Sequence, residues 1–471
     1  MYITETERIL MSLKQNSPMT WAKIVGEEIQ EFINSDKYIM AEQAEKYYRN
    51  RSAVQDKTNR FRLRSNTKNE QPILRKLIEQ KMNYMLTRPF SANSDDKLYS
   101  QTLAELFDNN FRSKLKRFGR AMPKQGIAYM QPYIDSTGAM RFKIHNFKNI
   151  IPLWEDEEKE SLGGFIYFAT QIVYIADHKT TVIRAELWDR QGVRYFVQVE
   201  GGQWQIDPER PDTQPHFLHN GKATLWSEVP LLWARYNEEE FPLYYYLKEL
   251  IDTLNWNLSV TDDVLRDVAN FIFLVKGYGG TDINELVKDL QEALAVLLDA
   301  DGNVDKMQAE LNIDAVMGFM DDVRRKIYDY GNGVDTKDPD LGNASGRAIG
   351  FRYSDLDNDC QSIALELQQM FERAKLFIDA YFALSGKGDF TNKSFEIVFN
   401  MDMPINETEV VTNLTALAGG RTITSQKTLI KQNPYVEDVE EEFAQIEAEE
   451  KEALENSAEF GFPAHEGGDN E

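Results

Sequence analysis

The hydrophobic pattern changes period near residue 126 and again near residue 242. Before the first change, apolar positions recur at helical spacing. They do so over residues 19–50, MTWAKIVGEEIQEFINSDKYIMAEQAEKYYRN, which predicts helix. PILRKLIEQKMNYML predicts a second helix, over 72–86, ending before Arg88-Pro89, and a third covers about 97–121. Between the two changes the pattern alternates. GIAYMQPYID, MRFKIHNF, GGFIYFATQIVYI, TTVIRAELWD, VRYFVQVEG and QWQI read as strands, with DSTG and DRQG as turns and DPERPDTQP (207–215) as a loop. These strands predict an antiparallel, sheet-rich unit from about 126 to 235.

After residue 242 the helical period returns in PLYYYLKELIDTLNWNLSVTDDVLRDVANF. Leu243, Leu247, Leu250, Leu254, Leu258, Val264, Leu265 and Val268 fall broadly along one stripe. A helix of this length runs roughly 45 Å. A small unit follows: strand FIFLVKGY (271–278), helix DINELVKDLQEAL (282–294), and a hairpin over 295–308 turning at Asp301-Gly302. A second helix, about 311–331, presents Ile313, Val316, Met320, Val323 and Ile327. Next comes a glycine-rich loop, DLGNASGRAIGFRY, with Gly342, Gly346 and Gly350 four residues apart. A third long helix over about 355–385, a strand SFEIVFN (394–400) and a helical, acidic end complete the order. The fold class is α+β, with no internal repeats.

Charge is the most informative part of the composition. The 471 residues hold 53 Lys and Arg against 77 Asp and Glu, a net of −24. Simple wrapping of nucleic acid needs a basic surface, and this balance argues against it. Residues 437–471 hold fourteen acids and one base, so −13 of the −24 lies in the tail and the body is only mildly acidic. Such a tail predicts a solvated helix running into disorder. Cys360 is the single cysteine, which excludes an intrachain disulfide and points to a reducing compartment. No apolar run is long enough to predict a membrane span, and MYITETERILMSLKQ lacks the pattern of a signal peptide.

Candidate chemistry is sparse. The glycine-rich loop lacks the Lys and hydroxyl of a nucleotide-binding loop, because Arg347 and Ala348 follow Gly346. DADGNVDKMQAE places Asp299, Asp301, Asn303 and Glu310 at calcium-loop positions, but Val304 stands where that loop needs glycine. The hairpin turn is the better reading. HFLH (216–219) has no metal-binding spacing and reads as loop polar residues. The basic run Arg112, Lys114, Lys116, Arg117, Arg120 and Lys124 reads as a solvated helix face. The acidic run WEDEEKE reads as a solvated turn; an enzyme reading would make Glu155, Asp156, Glu157 and Glu158 the ligands of a metal-dependent nuclease or phosphohydrolase. No residues present a convincing active site, so no cofactor and no metal are expected. A non-ring scaffold built from helical hairpins is the other alternative.

The order of elements resembles the portal proteins of tailed bacteriophages, in the branch typical of long-tailed phages of Gram-positive hosts. FIFLVKGYGGTDINEL and GNASGRAIGFRY resemble it most closely, and EVPLLWARYN (228–237) resembles the strand before the first stem helix. MNYMLTRPF (82–90) resembles a Y-x-x-G-x-P segment, with Thr87 where glycine is usual. The C-terminal INETEVVTNLTAL, TITSQKTLI and NPYVEDVEEEFAQIEAEE are similar to the family's closing pattern.

The resemblance implies a non-enzymatic subunit of a homo-oligomeric ring, typically of twelve, in the virion. The ring would sit at the capsid vertex and be assembled in the host cytoplasm, with no membrane contact. It implies a wing (1–240 and 386–403), stem helices (241–270 and 311–332), a clip (271–310), a tunnel loop (333–354), a long kinked helix (355–385) and a crown (404–471). Double-stranded DNA would pass through the channel. Lys337, Gly342, Asn343, Ser345, Gly346, Arg347, Gly350 and Arg352 would line it. The cations among them either touch phosphates or bridge acids of neighbouring subunits; both readings stand. Clip residues Lys276, Tyr278, Asp282, Glu285, Lys288, Asp301 and Asn303 would dock the terminase large subunit and later the head-completion protein. Major capsid and scaffolding proteins would be further partners.

Overall fold

The computed structural model describes residues 5–58, 65–175, 177–267, 272–276, 284, 303–307, 312–337, 346–401, 414–417, 425–431, 436, 439, 442–449 and 451. They divide into two units, one of residues 1–335 with 355–401, the other of 336–354 with 402–471.

The first unit opens with α1 (Glu5–Gln15), α2 (Pro18–Asn34) and α3 (Asp36–Tyr48). The expected helix over 19–50 is therefore two helices. Ser35 breaks it: its N–H donates to Phe32 O at 3.1 Å, and its hydroxyl accepts the Tyr38 N–H at 3.2 Å, capping α3. The helix α4 (Ile73–Leu86) and the short strand β1 (Ser91–Asn93) follow. The expected helix over 97–121 also divides, into α5 (Lys97–Leu106) and α6 (Asn109–Gln125). Here Asp108 takes the cap, accepting from the Phe111 N–H at 2.8 Å.

Ten strands continue the unit: β2 (Ile127–Ile134), β3 (Met140–His145), β4 (Ile150–Trp154), β5 (Leu162–Ile175), β6 (His178–Asp189), β7 (Gly192–Val199), β8 (Gln205–Ile206), β9 (Phe217–His219), β10 (Lys222–Thr224) and β11 (Leu232–Arg235). One antiparallel sheet has the order β11-β2-β3, another β4-β5-β6-β7-β8. Leu10, Leu13, Val25 and Ile29 of α1 and α2 pack on Ile166, Phe168, Leu187 and Phe196 of the larger sheet.

The helix α7 (Leu243–Asp267) leads to the paired strands β12 (Ile272–Lys276) and β13 (Asn303–Met307), then to α8 (Ile313–Tyr330). Leu243, Leu247, Ile251 and Leu254 of α7 meet Met320, Val323 and Ile327 of α8, and Leu74, Leu77 and Ile78 of α4 close this core. Its apolar faces are what the helical spacing required. The helix α9 (Gly346–Leu384) is 39 residues long and uninterrupted, beginning nine residues before its expected start. It buries Ile363, Leu367, Met370, Phe371, Phe377 and Phe382. Its Phe371 joins Phe90, Phe107 and Phe111 in an aromatic cluster. The last strand, β14 (Glu396–Val398), pairs with β1.

In the second unit the described residues include the first turns of α9, a helix over 414–417, α10 (Gln426–Lys431) and a helix over 442–449. The Lys427 ammonium lies 5.7 Å from the Phe443 ring centre.

Candidate assembly and channel surfaces

The first half of α7 buries an apolar stripe; the second half buries a polar one. Asn255, Ser259, Asp263 and Asp267 stand four residues apart, all buried or nearly so. Each receives one backbone N–H of an extended segment. The N–H of Gln71 donates to Asn255 Oδ1 at 2.9 Å, Asn69 to Ser259 Oγ at 2.8 Å, Thr67 to Asp263 Oδ1 at 2.7 Å and Ser65 to Asp267 Oδ1 at 3.1 Å. The fit is geometric. Four helical residues rise about 6 Å, and two extended residues advance about 6.6 Å. The two chains therefore stay in register over the ladder. Lys57 adds an ion pair to Asp263, and Asn255 Nδ2 donates to Ser52 Oγ at 3.0 Å.

Above α7, a buried carboxylate gathers cations. Glu240 accepts from Lys159 at 2.7 Å and from Lys37 at 2.5 Å, with Arg235 Nε 3.7 Å away. Burial raises the Glu240 pKa, but the Lys37 and Lys159 charges outweigh it and hold the carboxyl below its usual value. Its backbone has φ +62° and lies against Gly126 (φ +86°), where a Cβ would strike the Glu240 carbonyl. A second junction centres on Lys81, which is fully buried. Its ammonium meets Asp359 of α9 at 2.8 Å and donates to the Asn332 carbonyl at 2.9 Å.

The basic run on α6 is not a simple solvated face. Arg120 grips Glu79 with two bonds of 2.7 and 2.9 Å, Lys124 pairs with Glu45, Lys116 donates to Asn83, and Lys114 donates to the Phe142 carbonyl at 2.7 Å. Arg117 is exposed. These cations bind α6 to α3, α4 and β3.

The acidic run is partly committed. Glu155 holds Arg190 and Ser161, and Asp156 accepts the N–H groups of Glu160 and Ser161. Among the described residues no group of three His, Cys, Asp or Glu side chains is placed to hold a metal ion. The HFLH histidines also differ from loose loop polar groups at one position. His216 accepts the Trp226 N–H at Nδ1, bonds the Asp189 carbonyl through Nε2, and stacks on Trp188.

The glycine-rich loop is shorter than the pattern suggested. Gly346, Arg347, Gly350 and Arg352 lie within α9, and Arg352 and Lys337 are exposed. Gly342, Asn343 and Ser345 lie outside the described residues. In the small unit, Lys276 and Asn303 are register partners across β12 and β13. Tyr278, Asp282, Glu285, Lys288 and Asp301 lie outside the described residues, as do the expected turn at Asp301-Gly302 and most of the partial calcium loop. The long helices keep apolar residues on the surface: Tyr245, Tyr246, Trp256 and Leu265 on α7, Ile313, Met317 and Phe319 on α8, and Leu365 and Leu376 on α9. Among the described helices none is long and apolar enough to cross a membrane.

These features, long packed helices, antiparallel sheets and a small strand pair between two of the helices, make a mixed α+β structural class. The family described as "Phage portal protein, SPP1 Gp6-like" matches residues 32–456, and the chain belongs to it. The portal protein of Bacillus phage SPP1 is 27% identical over 378 residues, covering 79% of this chain and 74% of the relative. The portal protein of Clostridium phage phiCD119 is 23% identical over 383 residues, covering 78% and 81%. Both named phages infect Gram-positive hosts, as the sequence resemblance implied.

Proposed function

We propose that this portal chain closes with about eleven further copies into a ring at the capsid vertex. Double-stranded DNA enters and leaves the head through its axial channel. The observation that carries this reading is the uncovered apolar surface of α7 and α8. Trp256 is 48% exposed and Phe319 49%. Residues of this size on long helices suit burial against neighbouring subunits. The ring nucleates head assembly together with capsid and scaffolding proteins. Residues 271–310, including Lys276 and Asn303, dock the terminase and then the head-completion protein. The chain itself hydrolyses nothing. The tunnel loop, residues 333–354, faces the channel, where Lys337, Arg347 and Arg352 make brief phosphate contacts against an acidic wall. That wall repels the DNA backbone and keeps it from sticking.

The test is the native mass of the purified protein with negative-stain images of the same sample. A closed ring of about twelve subunits with a central hole is expected. A monomer or dimer under all assembly conditions overturns the reading. For the channel, Arg347→Ala with Arg352→Ala is expected to impair DNA packaging or retention. Unchanged packaging and retention would remove these residues from that role.

A further inference from the structure

The sheet β11-β2-β3 carries opposite charge at its two edges. At the β3 edge, Arg141 and Lys143 are exposed, Lys114 of α6 donates to the Phe142 carbonyl at 2.7 Å, and Arg117 lies one turn further along α6. Burial and the nearby Arg117 and Arg141 charges lower the Lys114 pKa, so these cations share one neighbourhood. Two carboxylates oppose them. Asp135 pairs with Arg141 at 3.1 Å, and Asp108 is engaged as the cap of α6. The patch is a positive island on a chain of net charge −24.

At the β11 edge the sign reverses. Arg235, the last residue of β11, donates to the Lys159 carbonyl at 2.6 Å and ties the acidic turn there. Lys159 turns its ammonium inward to Glu240, at 2.7 Å. Glu157 and Glu158 remain exposed. β2 lies between the two edge strands, so the patches are on opposite sides of one sheet.

We propose that the cationic β3 edge of one copy (Lys114, Arg117, Arg141, Lys143) docks the acidic turn of the next copy (Glu157, Glu158), as a head-to-tail electrostatic contact. The occupant is a second copy of this chain, and the inference rests on the ring reading above. A cyclic assembly requires two different, complementary patches on each copy. Strongly acidic copies repel one another unless such patches meet. Charges at opposite edges of one sheet supply complementarity in the head-to-tail direction that closure needs.

The test uses the full chain in three forms beside the unmodified protein: Arg117→Glu with Lys143→Glu, Glu157→Lys with Glu158→Lys, and all four changes together. Each double variant is expected to lower the ring population about tenfold at matched concentration, with unchanged circular dichroism and melting temperature. An equimolar mixture of the two doubles, or the fourfold variant, is expected to recover it. The unmodified ring is also expected to lose subunits between about 0.05 and 0.5 M salt. Rings from both double variants that match the unmodified protein overturn this contact and leave the ring reading intact. So does a ring insensitive to salt. An unmodified chain that never closes overturns both.

Discussion

The carboxylate of Asp263 receives both the backbone N–H and the hydroxyl of Thr67, each at 2.7 Å, from a segment almost two hundred residues earlier in the chain. Burial alone would raise its pKa; the hydrogen bonds from Lys57 and Thr67 outweigh it and leave the carboxyl below its usual value. Asp263→Ala removes the acceptor for Thr67 and strands the buried Lys57. The expected loss is about 2–4 kcal/mol. Thermal melting reads the loss, and hydrogen exchange should show its protection falling first at residues 65–71. A variant as stable as the parent would mean that the ladder does not hold this segment.

His145 sets a pH dependence of its own. Burial first, and then the Lys143 charge, lower its pKa to about 3, and its Nε2 lies 2.8 Å from Gln131 Oε1. The unfolded chain binds this proton near pH 6.5 and the folded chain does not. Stability conferred by the neutral ring is full above about pH 6.5 and falls as the pH drops toward 3, by up to about 1.4 kcal/mol per pH unit. His145→Gln is expected to flatten the melting profile between about pH 6.5 and 4.5. Equal slopes in parent and variant would contradict the depressed value.

Glu240 is another site at which one side chain joins several elements. Glu240→Gln leaves Lys37, Lys159 and Arg235 around a neutral amide. The expected cost is about 1–3 kcal/mol, because the half-exposed Lys37 and Lys159 and the more buried Arg235 lose their counter-charge. Measured at neutral pH by chemical denaturation, it should appear as a shifted midpoint with an unchanged slope. A loss within about 0.5 kcal/mol would show the cluster to be solvated.

Much of this architecture was written in the periodicity. β3 and β6 alternate between a buried and a wetter face, as their sequences do, whereas β2 is buried along its first six residues. β4 is not legible in the sequence, because IIPLW is apolar without alternation and Pro152 argues against a strand. The polar ladder left one local trace, hydrophilic residues every fourth position of α7 where a continuing stripe would be apolar. Its partner segment lies too far away in sequence for any local pattern to name. The start of α9 is hidden in the sequence for a reason of propensity. Gly346 and Gly350 each cost a helix about 1 kcal/mol relative to alanine, so the stretch resembles a loop. A long helix already formed downstream extends through them, since adding a turn is easier than nucleating one. The charge placement across β11-β2-β3 is the least legible part, because it depends on which strand lies at which edge.

Lys81 and Asp359 give the sharpest test of how the helices are locked. The ammonium has no exposed surface, while Asp359 is 14% exposed, so the partners are unequal. Asp359→Ala leaves an uncompensated charge in the interior, near the Asn332 carbonyl as its remaining acceptor. Its expected cost is about 3–5 kcal/mol. Lys81→Met removes the buried charge itself and leaves a carboxylate that water and the Tyr236 hydroxyl, 3.3 Å away, can still reach. It should cost roughly half as much. Replacing both, as Lys81→Met with Asp359→Leu, should recover much of the stability, because an apolar pair of similar volume avoids desolvating two ions. A double-mutant cycle by thermal denaturation decides the matter: strong positive coupling is expected, and simple addition of the single losses would show that the two side chains act independently.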